Sequence, residues 1–252
     1  MCGRSGDDQT AQLLKNLPGT IFTLGDNSNS SGYYEEYTEC FDKSWGLFKD
    51  RIRPAVGNHD LASGTLGYSD YFGLAAGEPG QYYYSYNLGS WHIIVLNSMC
   101  TWEGGCFFDS PVLTWLAQDL ANNPAMCTLA YWHHPLFTSG TQYPNPGVKP
   151  FWDLLYGAGA EIVLNGHDHH YERFALQDPN GQVDNARGIR QFIVGTGGAY
   201  MIKLPDTRAA NSEYSQDDTF GIFALSLYSN RYEWRFIDVN NTVLDFGGDL
   251  CH

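Results

Sequence analysis

The sequence predicts an α/β protein, and three observations carry that reading. Short apolar runs of strand length alternate with segments of helical spacing through the first two thirds of the chain. Several of these runs stop at a polar tip of Gly, Asp, Asn or His, where open α/β proteins place their sites. The last third then reads as strands with no helix between them.

Taken in order, Asp8 to Leu17 has apolar Ala11, Leu13, Leu14 and Leu17 at helical spacing and is stopped by Pro18-Gly19. Ile21 to Leu24 is a short strand ending at Gly25-Asp26. Ser31 to Phe48 has helical spacing and many aromatics, and Arg53 to Val56 is a strand ending at Gly57-Asn58. Tyr82 to Tyr86 and Trp91 to Asn97 flank the turn Asn87-Leu88-Gly89-Ser90. Pro111 to Leu120 is a helix with proline in its first turn, where the missing N–H costs nothing. Cys127 to Trp132 is a strand, Pro150 to Tyr156 a helix and Glu161 to Leu164 a strand. Beyond these, Phe192 to Gly195, Phe220 to Leu227, Arg231 to Val239 and Thr242 to Phe246 read as strands, and the polar stretch Pro205 to Asp218 as a surface loop. No repeat, coiled coil or flexible linker interrupts the chain, so residues 1–252 are read as a single domain.

Composition narrows the function. The chain is 43% hydrophobic and carries a net charge of −14, which argues against a nucleic-acid surface. A small phosphate ester stays open as a partner, because a bound cation inverts the potential locally. No window reaches 18 uninterrupted apolar residues, so no membrane-spanning helix is expected. Cys2, Cys40, Cys100, Cys106, Cys127 and Cys251 form no CxxC pair, and their even count and wide spacing fit disulfides. Cys100 and Cys106 are placed to close the loop TWEGG. The expected location is extracellular or periplasmic, with the leader absent from the start MCGRSGDDQT.

The chemistry concentrates at four strand ends: LGDN (24 to 27), VGNHD (56 to 60), YWHHP (131 to 135) and LNGHDHH (164 to 170). Glycine ahead of the polar residue lets the backbone turn sharply and approach a centre closely. Oxygen from Asp26 and Asn58 with nitrogen from His133 and His167 suits Zn, Mn or Fe. One carboxylate can bridge two such ions, and two cations clamp both oxygens of an in-line displacement. His167 and His169 stand two apart, so an extended or looped backbone, not a helix, aims both at one centre. Gly195-Thr196-Gly197-Gly198 follows a strand but lacks the spacing of a nucleotide-phosphate loop, and reads as a tight strand exit near the cleft.

GDN, GNHD, HHP and GHDHHYER, in that order, resemble a calcineurin-like metallophosphoesterase, nearer the purple acid phosphatase-like branch than the protein phosphatases. The resemblance implies two mixed β-sheets packed face to face and flanked by helices, a four-layer sandwich. It implies two divalent or trivalent metal ions, Mn, Zn or Fe. Asp26 would be the bridging carboxylate; Asn58, His133 and His167 would complete one ion, and His169 would belong to the other. His59 would be the catalytic histidine that meets the leaving-group oxygen or the phosphoryl group. His134 falls where the family varies and is read as a cleft residue, not a ligand.

Two departures from the family pattern stand out. The family opens with a strand that ends in an aspartate motif, yet only a helix precedes Asp26, and no apolar strand leads to Asp7 or Asp8. A missing strand would expose ladder groups and leave the second ion with Asp26 and His169 alone. Either the chain is a truncated product of a longer gene or another segment covers the gap; with the motif core intact, truncation or an altered start is preferred over an evolved pseudoenzyme. Asn29 stands where purple acid phosphatases carry the tyrosine that colours their ferric ion, so a purple protein is not expected.

The function expected is metal-dependent hydrolysis of phosphate esters, monoesters first, by metal-activated water. A nucleotidase or phosphodiesterase of the same fold is one alternative, and a catalytically weak metal- or phosphate-binding protein another. Around the centre, Asp60 is expected to orient His59 or to pair with Arg51 or Arg53, and Arg173 to tie down its own loop. Trp102, Phe107, Phe108, Phe137 and Tyr143 are candidates for ordinary packing or a cleft wall. The tail DFGGDLCH is expected to be a surface element pinned by Cys251, with His252 exposed.

Overall fold

A computed structural model describes residues 5–28, 30–64, 66–101, 106–107, 109–142 and 144–252. Cys2, Asn29, Trp102, Phe108 and Tyr143 lie outside the described residues, as does the side chain of Cys100. The first half of the chain runs α1 (Ser5–Leu14), β1 (Ile21–Leu24), α2 (Tyr34–Glu39), β2 (Ile52–Ala55), α3 (Asn58–Leu61), α4 (Gly67–Phe72), β3 (Tyr84–Leu88), β4 (Trp91–Val95) and α5 (Pro111–Asn122). It continues with β5 (Cys127–Trp132), α6 (Lys149–Gly157), β6 (Ile162–Asn165), β7 (Tyr171–Phe174), β8 (Arg190–Val194), β9 (Ser212–Gln216), β10 (Gly221–Leu227), β11 (Arg231–Asp238) and β12 (Val243–Leu250).

The strands form a mixed seven-stranded sheet of order β3-β4-β5-β6-β8-β7-β9, a parallel pair β1-β2 and an antiparallel trio β10-β11-β12. Within the large sheet, β4, β5, β6 and β8 are parallel, and their runs WHIIV, CTLAYW and IVLN are buried along their whole length. Parallel strands covered on both faces read as continuous apolar runs for this reason. One face packs Ile94, Ala130, Trp132 and Val163 under Val112, Leu113 and Leu116 of α5 and Phe151, Trp152 and Leu155 of α6. The other packs Ile93, Val95, Leu129, Tyr131 and Leu164 against Tyr232, Trp234 and Phe236 of β11, with Phe22 and Leu24 of β1 beside them. On the far side of the smaller sheets, Ile21, Ile222 and Ile237 are covered by Leu14, Tyr37, Tyr71 and Phe72 from α1, α2 and α4. The result is the four-layer α/β arrangement expected, mixed sheets flanked by helices.

Several expectations are revised. Ser31 to Phe48 is not one helix: α2 gives way to 3₁₀ turns at Phe41–Lys43 and Trp45–Arg51. Aromatic, β-branched and small residues are weak helix formers here, and Tyr37 and Phe41 are instead fitted to the rings of Tyr71 and Phe72. The Pro205 to Asp218 loop contains β9, a polar edge strand that pairs with β7 through its backbone. β7 itself was hidden in GHDHHYER; Tyr171 stacks on Phe236 at 4.1 Å. The final strand continues to Leu250 through Gly247, because a Cβ there would lie 2.4 Å from the Trp234 ring. Among the described residues no strand precedes β1; α1 comes first.

Arg173 does not tie down its own loop. It pairs with Glu213 and Asp245, while Arg190 pairs with Asp249 at 2.7 Å, and both guanidiniums lie over the Trp234 ring at 5.4 and 5.2 Å. These groups clasp the two facing sheets together. Cys127 at the start of β5 is bonded to Cys251 just beyond β12, so the tail is pinned, and His252 pairs with Glu161 at 2.7 Å. Cys40 and Cys106 are also disulfide-bonded.

Candidate metal centre

β5 and β6 end side by side in the large sheet, β1 and β2 end together in the facing pair, and contacts such as His133 with the Leu24 carbonyl bring their polar tips to one rim. Each tip is allowed in by a glycine. A Cβ on Gly25 would stand 2.4 Å from His133 Nδ1, one on Gly57 2.3 Å from Asp26 Oδ1, and one on Gly166 2.5 Å from the Leu24 carbonyl. Asp26 and His167 themselves hold positive φ, 55° and 62°, uncommon for residues with a side chain and found where a site over-determines the backbone.

Four residues expected as ligands converge. His133 Nδ1 donates to the Leu24 carbonyl at 2.7 Å, which leaves the Nε2 lone pair of the neutral ring facing the cleft. Around that atom stand Asn58 Oδ1 at 3.0 Å, Asp26 Oδ2 at 3.1 Å and His167 Nδ1 at 3.1 Å. Two oxygens and a second imidazole nitrogen crowded on one lone pair need a cation or a proton between them. Ligands bound at ~2.1 Å and at right angles sit ~3.0 Å apart, the spacing seen here.

His134 joins the group, although motif order read it as a cleft residue and not a ligand. His133, His134 and His167 offer nitrogens that all lie within 4.8 Å of one another, and the His134 and His167 rings are 4.3 Å apart. Ser98 Oγ engages His134 Nδ1 at 2.9 Å. The adjacency HH in the sequence was the available signal; variation of the family at this position argued against it, and β5 ends at Trp132, just before both imidazoles.

Electrostatics suit cation capture. Burial opposes the Asp26 charge, but the His133 imidazole holds its carboxyl below the usual carboxylate range. Burial also opposes a charged His133, yet Asp26 lifts its pKa overall. Burial, with repulsion from His133, lowers His134 to about 2 and His167 to about 3, so both stay unprotonated into acid. His169 lines the same cleft edge-on to Tyr200 at 4.6 Å, its pKa is lowered by burial, and its buried Nδ1 has no hydrogen-bond partner among the described residues. The residues therefore fit one ion fully. For a second, the described residues offer Asp26 and His169; Asp7 lines the cleft but accepts from Ser44 Oγ at 3.3 Å.

His59 is exposed at the cleft mouth. Its Nδ1 donates to the Ser30 carbonyl at 2.8 Å, and its backbone N–H donates to Asp26 Oδ1 at 2.9 Å. Asp60 neither orients His59 nor meets Arg51 or Arg53. It is fully buried and accepts from Gly57 N–H at 2.8 Å, Ser28 N–H at 2.9 Å, Tyr37 OH at 2.6 Å, and both the backbone and side-chain amides of Asn27. It staples the Asp26 loop to the Asn58 loop. Burial and then repulsion by Asp26 push its carboxyl up, against those donors. Sequence reasoning missed this role, because nothing local marks that the Asp of GNHD faces inward. Gln142 was missed too: its side chain donates to the His167 carbonyl at 3.0 Å. The phenylalanines stand apart from the ligand group: Phe137 packs on Trp152, and Phe107 is exposed.

Comparison with known proteins agrees with this geometry. Residues 4–171, two thirds of the chain, match the family model described as calcineurin-like phosphoesterase. Purple acid phosphatase 15 of Arabidopsis thaliana is 27% identical over 229 residues, covering 76% of this chain and 42% of that protein. The chain thus spans about two fifths of that relative's length. Among solved structures, the purple acid phosphatase PPD1 from yellow lupin (Lupinus luteus) seeds superposes with a TM-score of 0.79 at 17% identity, over 97% of this chain and 48% of that one. GAP50, the anchor in the inner membrane complex of Plasmodium, superposes with a TM-score of 0.75 at 14% identity, over 98% and 84%. At such identities the superpositions speak for the fold.

Proposed function

The chain belongs to the calcineurin-like phosphoesterase family, and from that premise we propose that it hydrolyses phosphate esters, monoesters ahead of diesters, on a cation held by Asp26, Asn58, His133 and His167. The observation that carries this reading is the crowding of Asn58, Asp26 and His167 on the one free lone pair of His133. Mn, Zn or Fe suits such a mixed nitrogen and oxygen set. An ion in that position supplies charge for the phosphoryl oxygens and acidity for an attacking water. It also offsets the net charge of −14 that would otherwise repel a phosphate.

The chain's own residues do the rest. Asp26 has two tasks: one oxygen faces the imidazoles and the other holds the His59 backbone, which fixes His59 relative to the ligands. With Nδ1 committed to Ser30, a proton on His59 Nε2 makes the ring a donor toward a leaving-group oxygen. His134, held by Ser98, brings an imidazole nitrogen within 4.8 Å of those of His133 and His167, a place from which it would serve the cation or a phosphoryl oxygen. Disulfides at Cys40, Cys106 and Cys127–Cys251 support an extracellular or periplasmic location.

A second reading, a metal- or phosphate-binding protein with weak turnover, is favoured by the thin donor set around His169. One experiment separates the two. Bound metal is measured by elemental analysis after Mn, Zn or Fe loading, with hydrolysis of an aryl phosphate followed in the same sample. Two ions with turnover support the enzyme; one ion or none without turnover supports the binder. Asn58→Ala should lose metal and rate together, and His59→Ala mainly rate. Unchanged turnover in both variants would sink the residue assignment.

A further inference from the structure

Gly195-Thr196-Gly197-Gly198 supplies no candidate ligand, yet the loop it opens after β8 is tied to the ligand loop at both ends. Gly195 N–H donates to the His170 carbonyl at 3.0 Å, and Ile202 N–H donates to the His169 carbonyl at 3.1 Å. Glycine is needed for the first tie, because a Cβ on Gly195 would stand 1.9 Å from the Asp168 carbonyl oxygen. Thr196 fixes the loop to β10 as well. Its carbonyl accepts from Gly221 N–H at 3.2 Å, and its hydroxyl donates to the Gly221 oxygen at 2.9 Å. Between these anchors the loop carries Tyr200, whose ring meets His169 edge-on at 4.6 Å.

Tyr200 is 49% exposed. One exposed tyrosine is ordinary on a protein surface, so its place is what sets it apart. Among the described residues, no other exposed large apolar side chain lines the cleft. The lining around the imidazoles is otherwise polar, with Asp26, Asn58, His59 and Gln142. A phosphate drawn to that polar end carries its organic part outward, past exposed His59 and Tyr200. The neighbours of Tyr200 decide which organic part fits. Ala199, Met201 and Ile202 offer no side-chain hydrogen-bond donor, so the hydroxyls of a sugar or polyol gain nothing there. A planar ring gains the attraction that aromatic pairs add to simple burial. Tyr200 touches a candidate ligand directly, which favours a ring carried on the ester oxygen itself over one held further out.

We propose that Tyr200 determines specificity for the leaving group: its ring takes an aryl group borne on the ester oxygen, so that aryl phosphates are preferred over alkyl and polyol phosphates. This rests on the phosphoesterase reading above and names the substrate class of the same site.

The test uses two phosphonates in which a methylene replaces the ester oxygen, benzylphosphonate and cyclohexylmethylphosphonate. They match in size and differ in planarity. Neither is hydrolysed, so calorimetry on the zinc-loaded protein reads binding without turnover. The benzyl compound should bind about 3- to 10-fold tighter than the cyclohexyl one, in the parent and in Tyr200→Phe. In Tyr200→Leu the two affinities should become equal. Each ratio is taken within one variant, so changes in metal content or phosphate affinity cancel. Equal affinities in the parent, or a benzyl preference that survives in Tyr200→Leu, would overturn the proposal and leave the phosphoesterase reading standing. Failure of both phosphonates to bind, with inorganic phosphate still bound, would do the same. If inorganic phosphate does not bind either, the phosphoesterase reading falls and this proposal with it.

Discussion

Replacing Asp60 by Asn removes one acceptor from the carboxylate that staples the two ligand loops, and the consequence can be worked through atom by atom. The surviving amide oxygen is best kept on the side that accepts from Gly57 N–H and both Asn27 amides, three bonds in all. The new NH₂ then faces the Ser28 N–H and the Tyr37 hydroxyl. Tyr37 can reverse and accept, but Ser28 N–H cannot, so one buried donor is left unsatisfied at a cost of about 1–3 kcal/mol. Loss of charge weakens the three retained bonds by about 0.5–1 kcal/mol each, while relief of the repulsion with Asp26 returns part of that. The net expectation is about 2–4 kcal/mol, or a melting temperature lower by about 5–15 °C for a chain of this size. Metal content should fall as well, because Asp26 and Asn58 sit on the two loops being held. Urea titration and calorimetry give the first quantity, and elemental analysis the second. Exposed His59→Ala, run alongside, should cost no more than about 0.5 kcal/mol. A change of under about 2 °C for Asp60→Asn, with full metal content, would refute the staple.

Three other outcomes follow from contacts already described. Gly25→Ala would put a methyl 2.4 Å from His133 Nδ1 at a φ of +89°, and should displace that ring and abolish metal retention in elemental analysis of folded protein. Cys251→Ser opens a bridge spanning 124 residues and should destabilise the fold by about 2–4 kcal/mol in urea titration, with β12 gaining hydrogen exchange first. Burial lifts the Glu161 carboxyl to about 8, so its contribution is intact below the ordinary carboxylate pKa and is lost as pH rises through 8. Glu161→Gln should therefore gain melting temperature relative to the parent at pH 9 but not at pH 5. The same difference at both pH values would refute the argument.

Much of this was legible from residue order. Cys127 to Trp132 and Ile21 to Leu24 were readable because both are mostly apolar runs of strand length, and the polar tips that follow them, glycine-led after Leu24, are where ligands can approach. Polar β9 escaped because an edge strand needs only backbone partners, which no side-chain pattern reports. The Ser31 to Phe48 segment misled because its aromatic spacing serves a cluster with Tyr71 and Phe72, rings far along the chain. At the centre, the residues that converge on His133 could be read from the motifs. The inward turn of Asp60 and the closeness of His134 to His167 depend on how loops from β1, β2, β5 and β6 pack, a matter of tertiary geometry alone.

β5 begins at a disulfide and ends at paired imidazoles. It is held covalently to the last strand at one end, and at the other by the hydrogen bond from His133 to the Leu24 carbonyl and by the contact of His134 with Ser98. Protein contacts therefore carry part of the entropy of ordering the donor atoms. A cation bound there is expected to be exchangeable for another of similar size, or strippable by a chelator, with the fold retained. That would set this centre apart from small zinc modules, which unfold when their metal leaves.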